Sequence, residues 1–381
     1  MRRLTPLFFT SFMDVQALSA LHTQVLWAAF VVAVFFGWVV QRSHFCTMGA
    51  INDVVNMGDA SRARVWAGAV SMAMLGLWTM HALGWVDPGQ SIYASGRIIV
   101  ASALVGGAFF GFGMVLASGC GSKTLVRIGS GSLKSLTVFV VMGVMAYATL
   151  RGITAVLRDR TLDRLSFQLD TSLIPMWVAQ WTHSESTQVG LFMALALFVL
   201  VWSWVLRDPA FRRSKQVIWT FCIGGSVVAM WWVSGVLGFV AEHPNTLEPA
   251  YLATNSQNME ALTFTAPMAY TLHWLILFSD QSNTLTISVV SVLGVVLGSF
   301  IQNWRAKTFR IEGFSSTQDT ALHLVGAVCM GFGGVTAMGC TVGQGLSGLS
   351  TMSITSVIAL LGIVGGGVLG LKYQMWLLMR D

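Results

Sequence analysis

Long apolar stretches with very few charges are the feature that most restricts how this chain folds. Lys, Arg, Asp and Glu make up 10% of its 381 residues, whereas 55% are hydrophobic. An ordinary soluble domain has roughly a quarter charged residues. The composition therefore excludes a water-soluble enzyme and a disordered chain. It predicts an all-α integral membrane protein, with residues 1–381 forming a single transmembrane domain in the lipid bilayer.

The apolar stretches predict nine membrane-spanning helices, because a span needs roughly 20 apolar residues. The expected spans lie near 24–40, 65–86, 98–118, 135–157, 189–206, 216–240, 285–303, 319–338 and 354–379. The apolar piece at 267–279 is shorter, so we expect it to be re-entrant or peripheral. Residues 1–22 are interpreted as a short amphipathic leader to the first span.

The positions of Lys and Arg predict the orientation of these spans. With the N-terminus outside, twelve of the assigned basic residues fall on or near the cytoplasmic side and seven outside. Cytoplasmic loops of membrane proteins carry such an excess. We therefore expect an external N-terminus and a cytoplasmic C-terminus. The formal net charge of +6 has this same explanation, and nucleic acid is not an expected partner, since no basic run with interleaved aromatics occurs.

Two segments of the chain resemble each other at an offset of 220 residues. One runs from Gly106 to Cys120 and the other from Gly326 to Cys340, and they match at eight of fifteen positions. The match predicts a duplication, with pseudo-repeat one at about 24–157, an extra span at about 189–206 and pseudo-repeat two at about 216–379. The extra span inverts the second repeat relative to the first, as in many secondary transporters.

Each copy of this segment ends in a Gly-Cys pair, followed by a piece rich in Gly, Ser and Thr. The pairs are Gly119-Cys120 and Gly339-Cys340. Irregular backbone at membrane depth is tolerated only where it is buried in protein or lines a polar cavity. We therefore expect two broken helices that enter from opposite faces and meet near the centre. Other glycines, in Gly-xxx-Gly pairs, are expected to let helices pack closely.

A third motif, earlier in the chain, is similar to the second Gly-Cys motif. Cys46-Thr47 is followed by Met-Gly, and Cys340-Thr341 is followed by Val-Gly. His44 lies two residues before Cys46, and their side chains would pair only where the backbone is irregular. The two remaining cysteines, at positions 222 and 329, are expected to be small hydrophobic residues of the core.

The chemistry of these motifs favours binding of an anion that has an exposed soft atom. A thiol is soft and polarisable, so it suits sulfur, selenium or a soft metal. Lys123, Arg127 and the free N–H groups at helix starts favour an anion over a metal ion, although nearby methionines leave a soft-metal channel as an alternative.

The cysteines show neither a CxxC pair nor metal-ligand spacing. No carboxylate lies within the predicted spans except at their ends, and no catalytic motif occurs. We therefore expect neither an enzyme nor a bound cofactor or metal.

Three motifs together resemble the YeeE/YedE family of sulphur transporters. They are SHFCTMGA at 43–50, ASGCGSK at 117–123 and AMGCTVGQGLSG at 337–348. The resemblance covers nearly the whole chain and implies an hourglass-like helical fold in the bacterial inner membrane. It also implies thiosulfate uptake, in which three cysteines pass the ion along by transient S–H···S contacts. Carried over by motif, these are Cys46, Cys120 and Cys340.

The chain departs from this family at Lys123, where a small residue is expected. Lys123 either strengthens anion binding or closes the narrow path. The predicted path thus includes Cys46, Cys120, Cys340, Lys123, Gly119, Gly339, Thr47, Thr341 and His44. The predicted substrate is a small inorganic sulfur anion, and a soluble sulfur-carrier protein on the cytoplasmic side is a candidate partner. The alternatives are a transporter of selenium or other sulfur species, a membrane thiol enzyme or redox sensor, and a structural membrane subunit.

Overall fold

A computed structural model describes residues 15–244, 247–280 and 283–379 of this chain. Most of the predicted leader, and the terminal residues 380–381, lie outside these described ranges. The α-helices are α1 (Val15–Ser43), α2 (Thr47–Asn52), α3 (Ser61–Ala82), α4 (Val100–Leu116), α5 (Gly121–Gly129), α6 (Leu133–Arg151), α7 (Ile153–Arg160), α8 (Ile174–Thr182), α9 (Ser186–Val205), α10 (Pro209–Arg213), α11 (Gln216–Trp232), α12 (Thr265–Ile276), α13 (Ile287–Arg305), α14 (Thr317–Thr336) and α15 (Ile354–Leu378).

Strands are very short in this protein. β1 (Arg97–Ile98) pairs with β2 (Phe167–Gln168), and β3 (Phe239–Val240) pairs with β4 (Ala250–Tyr251), both antiparallel. Three π-helical turns, at Asp53–Met57, Val233–Leu237 and Gly343–Gly348, continue or replace α-helix. The prediction of an all-α membrane protein is confirmed.

Eight helices in the described ranges are long and apolar enough to cross a membrane. They are α1, α3, α4, α6, α9, α11, α13 and α15, of which α1 and α4 are counted together with the short helices that follow them. The ninth predicted span, 319–338, is the helix α14, whose first turns carry Asp319 and His323. The stretch 267–279 corresponds to the 12-residue helix α12, as expected for a piece too short to span.

The predicted span 135–157 is shorter in the structure than in the sequence analysis. α6 ends at Arg151, Gly152 adopts an extended conformation, and α7 begins separately at Ile153. The periodicity alone did not reveal this break, because the apolar residues Ile153, Val156 and Leu157 continue the pattern. In the structure these three side chains are exposed.

Helix packing repeats between the two halves of the chain with the partners exchanged. In the first exchange, α4 of the first half packs on α15 of the second half, and α14 of the second half packs on α6 of the first. In the other, α1 packs on α13, and α11 packs on α3. α4 and α14 also cross each other: Gly106 lies against the backbone of Ala337, and Gly326 lies against that of Ala117. Both pairs are related by the offset of 220 residues. These reciprocal contacts support a duplication, whose boundaries and inversion stay predictions.

Glycines bring these helix backbones into direct contact. Gly111 lies against Ile363 of α15, and Gly366 of α15 lies against Ala108 of α4. On the other side of the molecule, Gly298 of α13 lies against Val34 of α1. These contacts agree with close packing at small residues, as expected from the Gly-xxx-Gly pairs.

Candidate functional site

Each of the three motif cysteines follows a helix that ends in the same turn. Two residues before each cysteine, φ is positive: 53° at His44, 55° at Ser118 and 57° at Met338. The next residue donates its N–H to the carbonyl five residues earlier: Phe45 to Val40 at 3.2 Å, Gly119 to Met114 at 2.8 Å and Gly339 to Gly334 at 2.7 Å. This is the Schellman ending of a helix. The break expected at Gly119 and Gly339 is present, and the same break precedes Cys46.

Each of the three cysteines stands at the start of the segment that follows. The sulfurs of Cys46 and Cys340 accept a hydrogen bond from the N–H three residues later, as the side-chain oxygen of an N-cap residue does. The donors are Gly49 and Gly343, each at 3.4 Å, whereas Cys120 is the N-cap of α5 without a side-chain cap hydrogen bond. α2, α5 and the turns at 341–348 thus each start at a thiol.

Cys120 lies where the halves of the chain meet. Its thiol interacts with the thiol of Cys46 and with the side chain of Thr341, and it lies 3.3 Å from the hydroxyl of Ser122. The Thr341 hydroxyl is buried and has no hydrogen-bond partner among the described residues. The fold therefore brings the motifs that contain Cys46 and Cys120 close together, and Thr341 of the motif at 337–348 lies near them.

Cys340 is buried beside the segment that precedes α12. Its Sγ is 4.0 Å from the hydroxyl of Thr263, which precedes α12. The hydroxyl of Tyr93 also faces this region, close to Gly343, and has no hydrogen-bond partner among the described residues. Cys120 and Cys340 are buried, whereas Cys46 is half-buried.

Lys123 lies in the first turn of α5, beside two of the thiols. Its aliphatic stem packs on Gly119, where a Cβ atom would be 3.1 Å from Cγ of Lys123 and 3.8 Å from Nη1 of Arg127. Its ammonium interacts with Cys46 and Cys120. The lysine that departs from the family pattern therefore lies beside Gly119 and near both thiols.

Two other predicted site residues make no direct contact with a thiol among their described contacts. His44 has the irregular backbone that pairing with Cys46 would need, but its side chain is exposed and makes no hydrogen bond to Cys46. Thr47 is buried at the start of α2. Cys222 lies in α11, and Cys329 lies in α14, where it packs beside Gly113 of α4.

Sequence reasoning missed several polar residues of this region. Ser122 was part of a quoted motif but was not selected. Thr263 and Tyr93 lie in connecting segments that carry no motif, so no sequence signal pointed to them. Arg62 was counted only as a cytoplasmic charge, yet its guanidinium lies against Gly49, beside Cys46.

The chain is similar to known transport proteins over most of its length. A family model described as "Sulphur transport" matches residues 42–369. The thiosulfate transporter TsuA of Escherichia coli is 26% identical over 90% of this chain and 91% of its own length. The thiosulfate transporter TsuA of Spirochaeta thermophila is 26% identical over 93% of this chain and 100% of its own length.

A shorter similarity extends to a third relative. The probable transporter YedE of Salmonella typhimurium is 28% identical over 34% of this chain and 31% of its own length. The family match covers most of the chain, including all three cysteine motifs. With eight apolar helices of spanning length, this is a multi-pass membrane protein whose relatives are transporters, and the chain belongs to the sulphur transport family.

Proposed function

We propose that this protein carries thiosulfate inward across the bacterial inner membrane, along a path formed by Cys340, Cys120 and Cys46. The observation that carries the proposal is the position of Cys120. Its buried thiol interacts with Cys46 on one side and with Thr341, the neighbour of Cys340, on the other. A small anion that leaves Cys340 thus meets another thiol before it meets water.

The capping geometry leaves the thiol protons of Cys46 and Cys340 free to be donated. Because each of these two sulfurs already accepts a backbone N–H, its S–H points away from the helix start. Cys120 makes no such cap, and its thiol lies 3.3 Å from the hydroxyl of Ser122. Thiosulfate presents a terminal sulfur and three oxygens. The S–H donates to that soft sulfur, while backbone N–H groups and the Thr341 hydroxyl donate to the oxygens. No covalent bond forms or breaks, so release needs no second reactant.

Several weak sites in series suit transport better than one strong site. An anion near the bilayer centre must exchange its water for other donors, because charge there is costly. Thiols are weak donors, so each stop holds the ion loosely. Conduction requires binding strong enough for entry and weak enough for exit. Gly119 and Gly339 contribute the turns that hold two of the thiols in place, and Thr47 starts the helix after Cys46.

The direction of transport follows from the predicted orientation. With the N-terminus outside and the C-terminus in the cytoplasm, the Cys46 end of the path faces the cytoplasm. Arg62 and Lys123 lie at that end. A soluble sulfur-carrier protein that removes thiosulfate there would keep uptake directed inward. The thiosulfate transporters among the relatives support the choice of substrate.

Uptake of labelled thiosulfate into proteoliposomes tests the proposal. We expect the purified protein to accumulate label faster than empty liposomes, and unlabelled thiosulfate to compete better than selenite, sulfite or sulfide. Stronger competition by selenite would assign the protein to selenium instead. A persulfide or sulfenate found on Cys120 by mass spectrometry, with no uptake, would favour a thiol enzyme or redox sensor.

A further inference from the structure

Three basic side chains gather at the Cys46 end of the proposed path. They are Arg62, Lys123 and Arg127, and we call them the basic cluster. Lys123 interacts with both of the other two and with the thiols of Cys46 and Cys120. The guanidinium of Arg62 lies against Gly49, the residue whose N–H caps Cys46. The cluster therefore adjoins the path and is separate from the thiol of Cys340.

The charges of this cluster are only partly balanced within the protein. Arg62 pairs with Asp53, with its Nε 3.3 Å from the carboxylate oxygen. Lys123 and Arg127 have no acidic partner among the described residues, and both are half-buried. Like charges held close together away from bulk water repel strongly. An anion between them would relieve that repulsion.

Two glycines leave room for side chains of the basic cluster. A Cβ at position 119 would crowd the stem of Lys123, and a Cβ at position 49 would crowd Arg62. Both glycines lie within three residues of a path thiol. The basic groups thus lie close to the backbone beside Cys46 and Cys120. An anion that contacts the thiols and the cations together requires this arrangement.

We propose that the basic cluster is a binding site for doubly charged sulfur oxyanions at the Cys46 end, with Lys123 as the residue that sets charge selectivity. The inference rests on the proposed function and deepens it. The anion directs its terminal sulfur to Cys46 and Cys120 and its oxygens to the ammonium and guanidinium groups. The thiols favour an anion with a soft terminal sulfur, and the basic cluster favours an anion with two negative charges over one with a single charge.

A pair of matched probes separates these two kinds of selectivity. Thiosulfate and methanethiosulfonate both present a terminal sulfur, but methyl replaces one oxygen in methanethiosulfonate, which carries one negative charge instead of two. We would measure how each anion competes with labelled thiosulfate for the purified protein, at low and high salt. The preference for thiosulfate over methanethiosulfonate is the readout.

Substitutions at the cluster test the inference directly. Lys123→Met keeps the length of the side chain but removes its charge, and it should lower the preference about tenfold, since one charge pair in a half-buried site is involved. Lys123→Arg should retain most of it. Arg127→Gln should act in the same direction and provides a second test if Lys123→Met fails to fold. Lys215→Met, at an exposed lysine before α11, is the matched control and should change nothing.

The outcomes distinguish this inference from the proposed function. An unchanged preference in folded Lys123→Met and Arg127→Gln, with normal thiosulfate uptake by the wild type, would overturn the inference and leave the proposed function standing. Absence of thiosulfate uptake by the wild type would overturn the proposed function. Salt at 0.1 M screens exposed charges more than about 10 Å apart and screens half-buried pairs much less. The preference should therefore decline only slightly with added salt, and a preference that added salt abolishes would contradict the inference.

Discussion

The thiol of Cys120 interacts with the thiol of Cys46, although the two residues follow different helices far apart in the chain. Both residues occupy the same position after a Schellman ending, and both are the N-cap residue of the helix that follows. The contact is therefore between two similarly built helix starts. The first turn of a helix has free N–H groups, so two helix starts near each other can offer N–H and S–H donors to one small anion.

Because the sulfur of Cys340 caps a helix start, two substitutions at this position can distinguish a structural role of the thiol from a role in transport. Cys340→Ser keeps an acceptor for the N–H of Gly343, whereas Cys340→Ala removes it, at a cost of about 1 kcal/mol as at other N-caps. We therefore expect the serine variant to unfold near the wild-type temperature and the alanine variant to unfold earlier. Thiosulfate uptake should fall in both, because neither has a soft atom. Normal uptake by the serine variant would show that the path needs only a polar group.

The positive φ of Ser118 gives a prediction about the turn itself. Ser118→Gly should preserve both folding and uptake, since glycine adopts this conformation without strain. Ser118→Val should lower the yield of folded protein and uptake, because a β-branched residue is a strong outlier there. The measurement is size-exclusion yield followed by labelled uptake. Equal behaviour of the two variants would contradict the role assigned to the turn.

Close packing of α4 on α15 can be tested with two adjacent glycines. A methyl group at Gly366 would meet the backbone of Ala108, whereas one at Gly365 meets nothing within 4 Å. We expect Gly366→Ala to lower the free energy of unfolding by about 1–3 kcal/mol through overpacking. Gly365→Ala is the control and should unfold like the wild type. The comparison uses thermal unfolding in detergent, and a destabilised Gly365→Ala would count against the packing explanation.

A buried carboxyl outside the spanning helices predicts how stability depends on pH. Glu260 accepts hydrogen bonds from Ser256 and lies near Ser288, Tyr93 and Tyr270. Burial raises the pKa of Glu260 above its ordinary value of about 4.5. Between the ordinary and the raised pKa, the folded state binds more protons than the unfolded state, so stability falls as pH rises. The stabilising contribution of the protonated carboxyl is complete below the ordinary pKa and is lost as pH passes the raised one.

Glu260→Gln removes this proton-binding site but keeps most of the hydrogen bonds. We expect the variant to lose less stability than the wild type as pH rises above about 4.5. Unfolding temperatures across a pH series check this. Parallel curves for the variant and the wild type would show that Glu260 has the same pKa in both states.

Much of the fold followed from the sequence because lipid restricts the choice of structure. Without water to satisfy backbone groups, apolar stretches of about 20 residues form helices, so most helix positions were predicted. The repeat also predicted the breaks at Gly119 and Gly339. The separation of α6 from α7 was missed, since Gly152 is one of many glycines and the apolar pattern continues beyond it.

The candidate site was harder to predict than the fold. The three cysteines were found because glycines and repetition mark them in the sequence. Thr263, Tyr93 and Arg62 were missed because they come from other segments and reach the thiols only through tertiary packing. The common turn before Cys46, Cys120 and Cys340 was also not predicted, because His44, Ser118 and Met338 share no chemical property that favours a positive φ.

The initial rate of labelled thiosulfate uptake by Cys120→Ala proteoliposomes tests the central claim most directly. The controls are Cys222→Ala and Cys329→Ala, which remove thiols that lie within the helices α11 and α14 and outside the three motifs. The account predicts that Cys120→Ala lowers the rate about tenfold or more, as expected from losing about 1.4 kcal/mol of stabilisation along the path, while both controls transport like the wild type. A folded Cys120→Ala protein that transports at the wild-type rate would contradict the account.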